Sequence, residues 1–349
     1  MSQDSSPDRS VSLIVVNHNG ESSLRECVDS LLVSLEATVE LILVDNASSD
    51  DSPRILEEME TLHPAVRVIY MQENHGYAGA VNRVLPQCQG RYIGVLNMDI
   101  EAEPHWLSPL IDFLDQRPEV AAVNPLITVR NGEVVNAAGQ DIHVSGLGFN
   151  HALGNTRDSI GQEPFPTPGI QGAAFLIRRS VLDEMGGIDD SGFLYHEDVN
   201  LSWLLRLMGH ELYCVPAAIV RHDYFLSMHA EKLYLLERNR LAMLASYLDR
   251  STRVRLFPWL LLTEFLLWGY ALLRGPAFLR AKGQAYGWLR KIRDQIHERR
   301  ALARRLRVIS DRALLKEMKL GYPWRQLLTL AREKVEPRKP LPARMSTRE

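Results

Sequence analysis

Cysteine is scarce in this 349-residue chain: Cys27, Cys88 and Cys214 are the only three, widely spaced and without a CxxC. That excludes a disulfide scaffold and a cysteine-built zinc site, and it points to a reducing compartment. No GxGxxG follows the first strand-like run, where Asn17-His18-Asn19-Gly20 stands instead, and no GxxxxGK[ST] occurs. A dinucleotide dehydrogenase and a P-loop NTPase thereby lose their main phosphate-binding devices. The first ten residues, MSQDSSPDRS, lack the apolar core of a signal peptide and predict a short disordered tail and cytosolic synthesis. Internal repeats and low-complexity tracts are absent as well. Of the residues present, 46% are hydrophobic and 24% charged, enough for one large core or two domains.

The net charge of −3 conceals a division along the chain. Residues 1–273 carry 19 Lys+Arg against 36 Asp+Glu, a balance of −17, and residues 274–349 carry 21 against 7, a balance of +14. Such parts face different partners. Residues 11–17, 39–45, 66–71 and 91–97 are short apolar runs rich in β-branched residues, the pattern of strands covered on both faces. Helix-compatible segments separate them. The alternation predicts right-handed βαβ crossovers and a mostly parallel sheet, with ligands at the carboxyl ends of the strands. Beyond residue 120 the pattern reads as irregular until GAAFLIRR resumes a strand, a helix carries Leu201, Leu204, Leu205 and Met208, and a last strand over 212–220 ends beside His222.

Polar residues stand at the predicted strand ends. Asp45, in VDNASSDDS, is placed where a carboxylate accepts hydrogen bonds from a base or ribose, although Asp, Asn and Ser there also serve as ordinary helix caps. Asn97 and Asp99, two residues apart in NMD, can point to one side of an extended chain, and Asp99 would supply an oxygen to a divalent cation that neutralises a diphosphate leaving group. His222 would complete that site; an imidazole with carboxylate and phosphate oxygens suits Mn²⁺ or Mg²⁺ better than Zn²⁺. Glu197 and Asp198 open a predicted helix, where the backbone dipole favours ionised carboxylates, and an ionised carboxylate can take a proton from an attacking alcohol. Adjacent carboxylates diverge in direction and cannot flank one bond, which disfavours a glycoside hydrolase.

VSLIVVNHNG, VDNASSDDS, ENHGYAGAVN, LNMD, GAAFLIRR, FLYHEDVNLSWLLRLMGH and the later Arg221-His222 pair, in this order, resemble the family 2 glycosyltransferases of the GT-A fold, and most of all their bacterial rhamnosyltransferase-like branch. The resemblance covers about residues 11–240. It implies a nucleotide-diphosphate-sugar donor and inversion at the anomeric carbon. Asn17, Asp45 and Asn46 would line the nucleotide pocket. Asn74, Gly76 and Asn82 would belong to a loop that closes on the donor. Asn97 and Asp99 match the family's DxD, with Asn replacing the first acid and Met98 the branch's usual Pro. His222 matches its later metal-binding histidine and Asp198 its catalytic base, with Glu197 beside it. Gly172 and Ala173 match the segment beside the acceptor cleft, Asn200 replaces a frequent further acid, and Arg238-Asn239 matches a recurrent pair without an assigned role. QxxRW, the signature of processive synthases, is missing, so one sugar per encounter is expected.

After a catalytic domain over 11–245, residues 251–349 read as a basic, partly apolar helical extension. LFPWLLLTEFLLWGYALL (256–273) holds one charge, Glu264, and is barely long enough to span a membrane; arginines on both flanks give no orientation. Ala285, Trp288, Leu289, Ile292 and Ile296 recur at helical spacing among basic residues, as in a helix lying in an interface. A helical hairpin packed on the catalytic domain is the structural alternative. Nucleic acid would explain the charge but not the apolar stretch. The expectation is a protein peripheral to the cytoplasmic face of the inner membrane, bound to its anionic surface, transferring a deoxyhexose such as rhamnose to a lipid-linked or surface-polysaccharide acceptor. A catalytically silent scaffold that binds nucleotide sugar or membrane is the alternative from another class.

Overall fold

The computed structural model of the chain describes residues 11–34, 38–129, 132–223 and 227–332. The predicted tail over residues 1–10 and the end of the basic extension lie outside them. The four apolar runs are strands β1 (Val11–Asn17), β2 (Val39–Asp45), β3 (Val66–Tyr70) and β4 (Tyr92–Asn97). Helices α1 (Leu24–Leu32), α2 (Ser52–Leu62) and α3 (Gly76–Val84) cross between them, and the four strands pair in parallel in the order β3-β2-β1-β4. Register matters more than order here. Asn17 lies opposite Asp45, and Val16 opposite Asn97, so the polar ends of three strands share one rim.

The second half of the sheet is mixed. After β5 (Ile100–Ala102) and helix α4 (Leu107–Gln116), strands β6 (Val120–Thr128), β7 (Val135–Ala137), β10 (Phe165–Pro166), β11 (Ala174–Arg178) and β12 (Glu211–His222) complete it, while β8 (Gln140–Ile142) and β9 (Gly148–Asn150) form a separate hairpin. β11 runs antiparallel between β4 and β6, and β12 runs parallel to β6. β6 is a fully buried nine-residue strand where the sequence reads as irregular. Asn124-Pro125 at its centre looks like a break, since proline removes a ladder donor. The structure tolerates it because β12 shifts register between Val215 and Ile219, and because Asn124 caps the gap, donating from Nδ2 to the carbonyls of Gln171 at 2.9 Å and Ala174 at 2.6 Å. His222 is the last residue of β12, not a residue beyond it.

After α5 (Arg179–Met185) and α6 (Glu197–Leu207) come α7 (Ala230–Tyr247), α8 (Arg250–Arg255), α9 (Phe257–Arg274), α10 (Pro276–Lys291), α11 (Arg293–Leu306), α12 (Asp311–Leu314) and α13 (Trp324–Arg332). Among the described residues no helix is long and apolar enough to cross a membrane. The extension shares its core with the sheet: Ala303, Leu306, Leu314 and Met318 belong to one apolar cluster with Ile14, Val44 and Trp203. Here the interfacial reading of 285–296 needs correction. Ala285 and Ile292 are buried, Trp288 sits under the Arg238 guanidinium at 4.4 Å, and α10 packs on α7, so hairpin packing prevails for that helix.

Four charges tie the hairpin together. Glu237 and Arg240 of α7, Glu264 of α9 and Lys282 of α10 form one network, with Arg240 Nε–Glu237 Oε1 at 2.7 Å, Arg240 Nη2–Glu264 Oε1 at 2.7 Å and Lys282 Nζ–Glu264 Oε2 at 2.7 Å; Lys282 also donates to Glu237. Glu237, Arg240 and Lys282 are no more than 2% exposed. Burial alone would raise the Glu237 pKa, but the charges and hydrogen bonds of Arg240 and Lys282 bring it down to about 2. Removing one partner strands the others without water. Glu237→Gln should lose about 3 kcal/mol of stability in urea unfolding at pH 7. An unchanged midpoint would contradict this role.

Candidate active site

The chain from Asp99 to Asp198 can be followed bond by bond. Asp99 sits in the turn between β4 and β5, and β5 pairs antiparallel with β12 so that Ile100 lies opposite His222. That register brings His222 Nε2 to 3.2 Å from Asp99 Oδ1. On the other flank Asn97 donates its backbone N–H to the carbonyl of Ala173 at 2.9 Å. Next to it, Gly172 donates its N–H to Asp198 Oδ2 at 3.3 Å and accepts the Tyr77 hydroxyl on its carbonyl at 2.9 Å. Tyr77 reports the convergence: burial first, then the charges of Glu197, Asp99 and Asp198, hold its hydroxyl pKa well up.

The two acids at the start of α6 are half-buried. Asp198 is fixed at both oxygens, Oδ1 accepting from its neighbour Val199 N–H at 2.8 Å and Oδ2 from Gln140 Nε2 at 3.0 Å as well as from Gly172. Burial raises its pKa against those three hydrogen bonds. Glu197 is pushed up to about 8 by burial and then by the Asp198 charge. The dipole argument from sequence is therefore outweighed: desolvation of two adjacent carboxyls exceeds what a helix terminus supplies. The two adjacent carboxyls titrate as a pair, and burial together with their mutual repulsion favours the protonated form.

Asp99 differs. Burial works against its ionised form, but the hydrogen bond and charge of His222 prevail and lower its pKa. Its carboxylate stays 40% exposed while His222 is buried. The two line an open cleft of about 300 Å³ with Ser23, Glu26, Arg221 and Asp223. Among the described residues no group of three or more His, Cys, Asp or Glu is arranged to hold a metal ion. One oxygen and one nitrogen donor meet here, the start of a coordination sphere that phosphate oxygens could complete.

Of the predicted nucleotide-pocket residues, Asn17, Asp45 and Asn46 lie together at the rim and are buried. Asn17 Nδ2 donates to Asp45 Oδ1 at 3.2 Å and to Ser48 Oγ at 3.0 Å, and its Oδ1 has no partner within the described protein. Asn46 is committed to protein: Nδ2 donates to Asn74 Oδ1 and the Gly76 carbonyl at 3.0 and 3.1 Å, and Oδ1 accepts from His75 N–H at 2.9 Å. Gly76 has φ +73°, and a Cβ there would lie 1.9 Å from the Phe193 carbonyl oxygen, so only glycine fits. Asn82 also works inside the protein, donating to the Ile188 carbonyl at 2.6 Å and accepting from Ile188 N–H at 2.9 Å.

Sequence reasoning missed three supports: Gln140, Tyr77 and the function of Arg238-Asn239. Phe193, Tyr195 and His196, immediately before the acids, have φ of 65°, 64° and 73°, a conformation that costs non-glycine residues roughly 1 kcal/mol or more each. Asn239 Nδ2 compensates by donating to the carbonyls of Gly192, Leu194 and Tyr195 at 3.1, 3.0 and 2.8 Å, and Arg238 Nη2 bonds Gly192 at 2.9 Å. From α11, Arg299 pairs with Asp189 of the same loop, and Asn200 donates to Asp189 at 2.7 Å. Asn200 thus anchors the loop where an acid is frequent in the family.

Three kinds of comparison bear on the family and the fold. Residues 12–186 match the model of glycosyl transferase family 2, half of the chain, and the protein belongs to that family. An N-acetylglucosaminyl-diphospho-decaprenol L-rhamnosyltransferase of Mycobacterium tuberculosis is 28% identical over 60% of this chain and 75% of its own length. A putative teichuronic acid biosynthesis glycosyltransferase of Bacillus subtilis is 32% identical over 31% of this chain and 42% of its own. Among solved structures, GalNAc-T7 with UDP, GalNAc and Mn²⁺ superposes with a TM-score of 0.58 at 18% identity, over 79% of this chain, which spans about half (54%) of that protein. The Pyrobaculum calidifontis mannosyltransferase PcManGT superposes with a TM-score of 0.52 at 17% identity, over 88% of both chains. These likenesses establish the GT-A fold.

Two measurements follow. Glu197 binds its proton more tightly in the folded than in the unfolded state, so between pH 4.5 and about 8 the native form holds the extra proton and stability falls as pH rises. Glu197→Gln should flatten that slope in urea unfolding across this range; an unaltered slope would contradict the assignment. Asn239→Ala should cost about 2 kcal/mol by leaving three carbonyls without their shared donor. Thermal unfolding within error of wild type would refute the clamp.

Proposed function

We propose that this protein moves a sugar, rhamnose or another deoxyhexose, from a nucleotide-diphosphate donor to a hydroxyl of a lipid-linked or cell-surface polysaccharide acceptor, with inversion. The observation that carries this is the meeting of Asp99 and His222 with the Glu197–Asp198 pair around Tyr77 and Gly172. Asp198, held in place by Gln140, Gly172 and Val199, takes the acceptor's proton. The freed oxygen attacks the anomeric carbon from the face opposite the diphosphate, whose bond to the sugar breaks. Burial raises the pKa of Asp198, which strengthens it as a base.

Asn17 and Asp45 support the nucleotide at the rim, the buried Asn17 amide holding the Asp45 carboxylate in place. Asn46, Asn74, Gly76 and Asn82 act one step back, fixing the turn before α3 and the loop before α6. Gly172 and Ala173 form the wall between donor and base. Asp99 and His222, with Asn97 donating to Asp99, would hold a divalent cation, Mn²⁺ or Mg²⁺. When bound, that cation supplies charge neutralisation to the departing diphosphate. GalNAc-T7 and PcManGT were solved with nucleotide or nucleotide sugar and Mn²⁺, and the mycobacterial relative's name specifies a rhamnosyl group and a diphospho-lipid; all of these support the reading. The absent QxxRW supports single additions.

Asp198→Asn should lower transfer by about a thousandfold, while donor with Mn²⁺ still raises the thermal midpoint as in wild type. Wild-type turnover in that variant would exclude this base. Donor binding by the wild-type protein with neither transfer nor hydrolysis would leave only the silent scaffold.

A further inference from the structure

Helix α9 is built inside out for a helix facing water. Its eight exposed positions are all apolar, led by Leu273 at 84%, Phe265 at 74%, Leu272 at 67%, Phe257 at 60% and Leu261 at 56%, with Trp268 beside them. Its buried positions are Thr263 and Ala271, and its one acid, Glu264, turns inward to Arg240 and Lys282. Phe257, Leu261, Phe265, Trp268 and Leu272 recur every three or four residues and share one face. A water-facing surface helix carries the opposite pattern.

The occupant of this face is identified by what brackets it. Exposed Arg250 and Arg255 precede the stripe and exposed Arg280 follows it in the next helix, while Arg274 between them packs over the Tyr270 and Phe278 rings at 5.7 and 5.5 Å. Apolar side chains along one face, with arginines at both ends, fit the boundary between acyl chains and anionic headgroups. The ring of Trp268, stacked on Tyr286 at 6.3 Å, suits the same depth. The helix is not long and apolar enough to cross a membrane, so contact with one would be along this face.

We infer that the outer face of α9, not α10, seats the protein on an anionic lipid surface, with the Glu237–Arg240–Glu264–Lys282 network fixing which side of α9 points to the lipid. The purpose of such a face rests on the proposed transfer to a lipid-linked acceptor; the binding itself does not. The full chain should co-sediment with vesicles of phosphatidylcholine and phosphatidylglycerol, less so as salt rises, and only weakly with phosphatidylcholine alone. Phe265→Glu/Leu272→Glu should lower partitioning by about tenfold or more, with unaltered circular dichroism and unaltered stabilisation by donor. Transfer to a short water-soluble acceptor should be unaffected by the double substitution. Undiminished vesicle binding in the variant would overturn the assignment, as would equal binding to both vesicle types. Self-association through this face without vesicle binding would overturn it in favour of a second copy. A wild-type protein that binds vesicles but transfers no sugar would instead sink the proposed function and leave the lipid face standing.

Discussion

The site depends on one constraint: the loop before α6 must run through three left-handed non-glycine residues to deliver Glu197 and Asp198 to the sheet rim. Left to itself that backbone relaxes. It is held from three directions, by Asn239 and Arg238 of α7, by Arg299 of α11 through Asp189, and by Tyr77, whose N–H donates to the Phe193 carbonyl at 3.2 Å. Gly76 is required because the Phe193 carbonyl occupies the space of its missing Cβ. The turn carrying the ENHG motif and the loop carrying the acids are therefore one mechanical unit.

This arrangement explains why the C-terminal helices are integral to a site they barely enter. α7 carries the clamp, α10 packs on α7, and α11 supplies Arg299. Burial depresses the Arg299 pKa to about 10, still far above neutrality, so its charge on Asp189 is permanent. The buried charge network then fixes α9 and α10 against α7. A charge network of this kind contributes orientation more than stability, because apolar replacements could pack as well. What it specifies here is which side of α9 is left outside.

Much of this was legible in the chain. Strands β1 to β4 showed in their apolar, β-branched runs, and Asn17, Asp45 and Asn97 stand at the strand ends where that pattern puts them, with Asp99 just past β4. β6 was hidden, since Asn124-Pro125 reads as a break unless the shifted register of β12 is known. Gln140 lies in no motif and Tyr77 sits inside ENHGYAGAVN without a signal of its own; their roles come from contacts 58 and 95 residues away in sequence. The dipole reading of Glu197 failed because sequence shows the helix terminus but not the desolvation. Both α9 and α10 carry apolar residues at helical spacing, and only packing on α7 separates the buried stripe from the exposed one.

Crystals grown with Mn²⁺ and a nucleoside diphosphate, measured at the manganese edge, would show whether donor, cation and base share this rim. One anomalous peak is expected within coordination distance of both Asp99 and His222, with the diphosphate between it and Asp198. A peak that touches neither side chain, or a nucleotide bound away from Asn17 and Asp45, would contradict it.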